Sequence, residues 1–442
     1  MAAAVAPALC SCLMGPRSVE IQGMAYVPGI ASGQLCRGFD GGAGSVALVT
    51  PRDQCVPDVL PAGICVVEGA PFSHRTIALR ELGIPVVLID SVQAGALEQG
   101  VPTVVDGETG LVVNGPAAHR LCPGNTTPAP TGPVVTADGV PVTILASVRS
   151  ASAAHAAADA GATAIGLVRT EFLMPAGSQP PDRGYFEEAF ATLCEAAAPL
   201  PVTFRLIDIA ADKVPSWMPE AQRIGGALGV QGVRLYDDEW LRVVVEAQLD
   251  ALAALAATCD LRVLLPFLTR RGELEHWAAV VRDLLPEGVP LGAMVETPLA
   301  ALDLVGWLDT ASFVAIGCND LMQCLFAADR DRPELRGYLD PHAPPMFRFF
   351  RLVAEGAGGR LADVRLCGLL PQLPGMLPVL LGMGYRAFSV DPPLIPYLAR
   401  DVRSVRVDEA ARLADRVCSA RDSREVKTLL GDAGPGLVRT QG

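Results

Sequence analysis

The sequence predicts an α/β protein: a small α/β unit followed by a (β/α)8 barrel. Three observations lead there. From Val140 onward, strand-length apolar runs alternate with helical patterns through about eight repeats, the content of such a barrel. Before residue 121, shorter apolar runs alternate with turn residues. Between the two, residues 121–133 form a connector rich in Pro, Gly and Thr, which should be extended and exposed. The 442 residues suffice for two or three domains of about 150 residues each. The expected division is a disordered tail over 1–20, the small unit over 21–120, a Pro-rich linker over 121–135, the barrel over 136–425 and a tail over 426–442. A doubly wound sheet is the alternative arrangement of the same repeats.

In the small unit, Val46–Val49, Gly63–Val67, Val86–Ile89 and Thr103–Gly107 read as strands. A helix after Ser73 follows from the apolar spacing of Ile77, Leu79 and Leu82. Ser73 is its N-cap, and Gly83-Ile84-Pro85 ends it. In the barrel, the strand candidates are Pro141–Ala146, Ala164–Val168, Val202–Ile207, Gly232–Leu235, Val263–Pro266, Leu291–Val295, Phe313–Ile316, Val364–Cys367 and Ala387–Val390. Helices such as Ala151–Ala160 and Glu239–Ala257 separate them. Barrel chemistry gathers at the C-terminal ends of the strands. Arg169, Arg205, Arg234, Glu296, Asp320 and Cys367 each sit in or just past a strand candidate.

Composition narrows the function. Half of the residues are hydrophobic, enough for a sizeable core. No apolar run approaches the ~18 residues that span a bilayer. The segment Met1–Gly15 lacks the Lys or Arg that precede the apolar stretch of a secretory signal, so a soluble protein is expected. A net charge of -13 argues against nucleic acid and against an anionic membrane surface. The twelve Cys show no C-x-x-C pattern, which fits free thiols in a reducing cytoplasm. Lys occurs only at Lys213 and Lys427, which draws attention to Lys213.

The polar residues suggest a chemistry. Glu296, in Met294-Val295-Glu296-Thr297-Pro298, and Asp320 are carboxylates on neighbouring strand ends. Hard oxygen ligands with open positions suit Mg²⁺. Taken singly, each acid could instead cap a helix or pair with an Arg. Arg169, Arg205 and Arg330 offer guanidinium forks that match phosphate oxygens, and Lys213 offers a point charge. A lone Arg is usually a surface ion pair; three beside two acids weaken that reading. His74 starts a helix, where a phosphoryl group on its ring would meet unpaired N–H groups and the positive end of the dipole. A satisfied surface His is the plain alternative. Cys367, judged by residue type alone, would be an inert buried thiol. Together these residues suggest a phosphoryl group carried on His74 and loaded at a metal site near Asp320.

Six blocks, in order, now carry a resemblance. They are Gly161–Leu173 with Gly-Leu-Val-Arg-Thr-Glu-Phe-Leu, Phe204–Lys213, Gly292–Pro298, Gly317–Arg330, Cys367-Gly368, and Leu380–Val390. The chain resembles the phosphoenolpyruvate (PEP)-utilising enzymes over roughly residues 21–425, and most closely the enzyme I branch of the sugar phosphotransferase system. The resemblance implies a swivelling phosphohistidine domain joined to a PEP-binding TIM barrel. It implies that His74 takes the phosphoryl group, and that Glu296 and Asp320 hold Mg²⁺. It further implies that Arg169, Arg205, Lys213, Arg234, Asn319 and Arg330 grip PEP, and that Cys367 protonates the enolate to give pyruvate. A homodimer through the barrel is also implied.

The departures from the family pattern are specific. Val27-Pro-Gly-Ile-Ala-Ser-Gly33 runs within about twenty residues into the swivelling domain, where enzyme I inserts the helical domain that docks the carrier protein HPr. The expected acceptor is therefore another protein or a small molecule. Pro71 and Phe72 replace the Arg and Thr of the histidine loop. The loop after Cys367 reads Gly-Leu-Leu-Pro-Gln-Leu and lacks the family's acids. Gln231 stands for the first Arg of the family's "GWRxIR" and Cys318 for a Thr. No ATP-grasp segment or P-loop is present, so the chain alone is not a dikinase or synthase. The leading expectation is PEP-dependent phosphotransfer to His74. The alternatives are a degenerate PEP-binding regulatory protein, and enolate chemistry on a pyruvate-like acid with His74 idle.

Overall fold

A computed structural model describes residues 18–50, 53, 59–120, 127–175, 177, 179–209, 214–215, 217–218, 226 and 228–432. The chain divides into two compact units: Met1–Pro71 with Ala78–Thr126, and Phe72–Ile77 with Thr127–Gly442.

The first unit is an eight-stranded sheet. Its strands are β1 (Val19–Gln22), β2 (Met24–Val27), β3 (Ile30–Arg37), β4 (Ser45–Val49), β5 (Gly63–Val67), β6 (Val86–Ile89), β7 (Pro102–Asp106) and β8 (Leu111–Asn114), in the order β1-β8-β7-β3-β4-β5-β6-β2. The middle pairs β3–β4, β4–β5 and β5–β6 are parallel, and the outer pairs are antiparallel. Leu35, Val46, Cys65, Val87 and Val105 form the centre of its core. All four predicted strands are present. The expected tail over 1–20 is corrected at its end: Val19 and Glu20 already pair with Asn114 and Val113.

After Ser73 comes the short helix α1 (His74–Ala78), continued by a 3-10 turn, Leu79–Leu82. The Ser73 Oγ accepts from the Thr76 N–H at 3.3 Å, so Ser73 caps as expected. Gly83 closes the turn at φ 67°, a left-handed conformation that costs glycine nothing. Asp90 caps α2 (Ser91–Gly95) with a full capping box.

The second unit holds a closed barrel of eight parallel strands, so the doubly wound alternative falls. The strands and helices alternate: β9 (Thr143–Val148), α3 (Ala151–Asp159), β10 (Ile165–Arg169), α4 (Arg183–Ala197), β11 (Val202–Arg205), α5 (Glu239–Leu255), β12 (Leu261–Leu268), α6 (Arg271–Leu284) and β13 (Leu291–Val295). There follow α7 (Pro298–Ala301), α8 (Leu304–Leu308), β14 (Phe313–Gly317), α9 (Cys318–Phe326), α10 (Pro344–Ala357), β15 (Val364–Cys367), α11 (Met376–Gly382) and β16 (Ala387–Val390). Three helices close the unit: α12 (Ile395–Ser404), α13 (Val407–Ser419) and α14 (Ser423–Asp432). The last enters the expected tail over 426–442 because Val426 and Leu430 are buried.

One strand candidate fails. Gly232–Leu235 is a 3-10 turn. Gly232 has φ +57°, and a Cβ there would meet the Phe267 side chain. The place in the ladder is also filled, because β11 pairs directly with β12 from Val202↔Leu261 to Arg205↔Leu264. Arg234 is therefore not a strand-end residue. Inside the barrel, Leu167, Leu264, Met294, Phe313, Ala315 and Cys367 form one apolar cluster. The Arg365 guanidinium stacks 4.0 Å from the Phe313 ring centre.

Candidate active site

The charged residues gather at the C-terminal ends of the barrel strands. Arg205 is the last residue of β11 and is buried. Its Nη2 donates to Glu171 Oε1 at 2.6 Å, its Nη1 pairs with Asp208 Oδ2 at 2.8 Å, and its Nη1 reaches Met294 Sδ at 3.5 Å. Burial alone would lower its pKa, but the charges of Asp208, Glu171, Glu296 and Asp320 outweigh burial and raise it. Arg169 ends β10. Its Nε donates to the same Glu171 Oε1 at 3.3 Å, and its guanidinium lies 4.8 Å from the Phe172 ring centre. Glu171 thus ties two arginines together.

Glu296 follows β13 and is buried. Its Oε2 accepts from the Phe267 N–H at 3.1 Å. Burial, then the charges of Asp320 and Asp208, push its carboxyl well above the ordinary range; Arg205 opposes them. Gly317 leaves room for this side chain, since a Cβ there would run into Glu296 Oε1. Two mutually repelling carboxylates, one buried with one N–H donor and one in the first turn of α9, are the donor set that a small dication would relieve.

Asp320, Asn319 and Arg330 come from α9 and the turn after it. Arg330 is buried; its Nη2 lies 3.1 Å from Asp320 Oδ1 and 3.2 Å from Oδ2. Asp320 therefore does pair with an Arg, as the plain reading of a lone acid allowed. The Arg330 backbone N–H donates to Gln323 Oε1 at 2.9 Å. The Nε atoms of Arg205 and Arg330 are buried without a hydrogen-bond partner among the described residues. Such orphaned donors are costly and suit an incoming anion. Asn319 Oδ1 accepts from the Leu369 N–H at 2.9 Å, leaving the amide's N–H end as its donor. Gly368, at φ +97°, lets the chain pass that amide closely.

Cys367 ends β15 and is buried in the barrel cluster. Burial pushes its thiol up to about 12, despite Arg365 and a hydrogen bond from Ser389. Ser389 also meets Ser147, Oγ to Oγ, at 2.9 Å.

His74 belongs by its contacts to the barrel unit. Its backbone N–H donates to Asp331 Oδ1 at 3.0 Å, and its Nδ1 lies 2.7 Å from Asp331 Oδ2. Its Nε2 lies 2.8 Å from Arg330 Nη2. The same Arg330 side chain thus touches His74 and Asp320.

Residues 126–407 match the family model described as "PEP-utilising enzyme, PEP-binding domain". The chain belongs to the PEP-utilising enzymes. Over 392 residues it is 31% identical to the phosphoenolpyruvate-protein phosphotransferase of Streptomyces coelicolor, covering 86% of this chain and 70% of that one. The protein of the same name from Haloferax volcanii is 31% identical over 401 residues, covering 86% and 70%. A multiphosphoryl transfer protein of Rhodobacter capsulatus is 28% identical over 400 residues; the match covers 86% of this chain and 48% of that longer one. Among the described residues, no helix is long and apolar enough to cross a membrane.

Of the residues predicted from sequence, the structure brings together Arg169, Arg205, Glu296, Asp320 and Arg330 through shared partners or charge, and joins His74 to Arg330, while Asn319 bonds the Leu369 N–H. Arg234 has other partners among the described residues. Its guanidinium donates to Thr269 Oγ1 at 3.1 Å and to the Gly229 carbonyl at 3.4 Å, and lies 5.4 Å from the Phe267 ring centre. Lys213 lies outside the described residues. Sequence reasoning missed Glu171, Asp208, Asp331 and Ser389. The first two lie inside quoted motifs, two residues after Arg169 and three after Arg205. Asp331 directly follows Arg330, and nothing in its spacing points to a residue 257 positions away.

Proposed function

We propose that this enzyme transfers the phosphoryl group of PEP to Nε2 of His74, releases pyruvate, and passes the group to an acceptor other than HPr. The observation that carries this reading is the arginine shared between His74 Nε2 and Asp320. It sets the candidate nucleophile beside the groups best suited to hold a phosphoryl donor.

The residues present fit Mg²⁺, with Glu296 and Asp320 as its carboxylate ligands. When bound, Mg²⁺ neutralises charge on the transferring phosphoryl oxygens. Arg205, Arg169 and Arg330 grip the anion, and Asn319 adds amide donors. The Nε2 lone pair forms the P–N bond as the bridging P–O bond breaks, and that electron pair leaves with the enolate. Cys367, whose thiol stays protonated at neutral pH, delivers a proton to C3 and gives pyruvate. The apolar barrel wall around it keeps bulk water from competing.

The acceptor reading rests on the link between β3 and β4. It is the seven-residue turn 38–44, where enzyme I carries its docking domain. A cytoplasmic homodimer joined through the barrel completes the proposal.

The test uses radiolabelled PEP with Mg²⁺, scored for acid-labile label on the protein and for pyruvate. Label equal to pyruvate, lost in His74→Ala, is the expected result. Saturable PEP binding without label would overturn phosphotransfer and leave a PEP-binding regulator.

A further inference from the structure

We propose that Asp331 is a positioning residue for the accepting histidine: its carboxylate holds the Nδ1–H of His74 and presents Nε2 as the nucleophile. The inference deepens the phosphotransfer reading above and rests on it.

Hydrogen-bond polarity fixes the tautomer. A guanidinium can only donate, so at 2.8 Å from Arg330 Nη2 the Nε2 atom of His74 is an acceptor. The proton of the neutral ring then sits on Nδ1. A carboxylate can only accept, and Asp331 Oδ2 lies 2.7 Å from Nδ1. Both neighbours therefore select the same form, the one with an unprotonated Nε2 whose lone pair meets the Arg330 guanidinium. Asp331 grips the residue twice, because its other oxygen accepts from the His74 backbone N–H at 3.0 Å. Ring and backbone are clamped to one carboxylate, which sets the direction in which Nε2 points.

The local hydroxyls do not compete for this task. Ser73 Oγ and Thr76 Oγ1 bond each other at 2.9 Å, and Ser73 also caps the helix. Phe72, where the family motif has a Thr, is buried and carries no polar atom. The partner for Nδ1 comes instead from the turn that supplies Arg330. That turn is braced by Asp329, whose Oδ1 accepts from the Asp331 N–H at 2.9 Å. Burial would raise the Asp331 carboxyl, but the His74 ring, the His74 N–H and Arg330 together hold it at about 2. It is a full carboxylate throughout the neutral range.

The step balances without another reactant. As Nε2 bonds phosphorus, positive charge develops on the imidazole, and the facing carboxylate stabilises it. The Nδ1 proton stays between the two groups, and the leaving electron pair goes to the enolate.

The test uses the full chain and three variants. Asp331→Ala should slow labelling of His74 by PEP roughly 10–100-fold, the range for losing an orienting partner. The PEP dissociation constant should stay within about twofold, because Asp331 acts on the nucleophile. Asp331→Glu should restore part of the rate. The wild-type proton spectrum should show a downfield His74 Nδ1–H resonance, absent in His74→Asn and in Asp331→Ala. Labelling by Asp331→Ala at the wild-type rate, or persistence of that resonance, overturns the proposal. If the wild type takes no label, phosphotransfer itself fails, and the resonance alone decides whether Asp331 holds the ring.

Discussion

Replacing Arg205 with Met leaves the side-chain volume nearly intact and removes one positive charge. The charge is held at 2.6 Å from Glu171 and 2.8 Å from Asp208, and the Arg205 and Glu171 side chains are only 6% and 2% exposed. Removing one partner of a buried pair strands the other charge, at a cost of roughly 3–5 kcal/mol. At about 2–4 °C per kcal/mol for a large domain, the melting temperature should fall by roughly 6–20 °C. If stranded charge is the cause, removing it should help: the double variant Arg205→Met, Glu171→Gln should recover at least about 1 kcal/mol. Urea unfolding followed by Trp fluorescence measures both, since Trp277 and Trp307 are buried in the barrel unit. A single variant within about 1 kcal/mol of wild type, or a double variant no more stable than the single, would refute this account of Arg205.

Other consequences can be checked in the same way. Gly317→Ala places a methyl group against the Glu296 carboxylate; it should abolish the rise in melting temperature on adding Mg²⁺ and cut His74 labelling at least tenfold. Cys367→Ser should leave label on His74 but slow pyruvate formation, seen as enolate intercepted by solvent deuterium without facial selectivity. Because the thiol sits near 12, wild-type turnover should show no loss from its ionisation below about pH 10. Cys194 and Cys259 bring their sulfurs to 2.7 Å. A two-electron thiol oxidant such as diamide should join them with loss of two protons, read as about 2 Da less intact mass, and Cys194→Ser should prevent it.

Much of the barrel was legible because its parallel strands are buried on both sides and read as unbroken apolar runs, as in Leu291–Val295 and Phe313–Gly317. The same signal misled at Gly232–Leu235, where a Val and a Leu pack without joining a ladder. In the small unit the central strands β4, β5 and β6 were plain, whereas the edge strands β1 and β2 were missed. They are four residues long and only partly buried, so no apolar run marks them. Of the charged residues gathered at the strand ends, the motifs contain Arg205, Glu296, Asp320 and Arg330. Glu171 and Asp208 passed as ordinary acids, because a buried counter-charge is defined by what surrounds it. Asp331 required the fold, since its partner lies in another part of the sequence.

The turn between β3 and β4 has a use of its own. Asp40, Gly41, Ala43 and Gly44 are exposed, and Gly38, Gly42 and Gly44 have nothing close to where a side chain would grow. Loop tips of this kind accept inserted domains, because no buried contact is broken. The link is a natural splice port: a recognition module could be grafted there while the strands on either side keep their register from Gln34↔Ser45 to Arg37↔Leu48. The choice of recipient would then be an interchangeable part, separable from the residues at the barrel's strand ends.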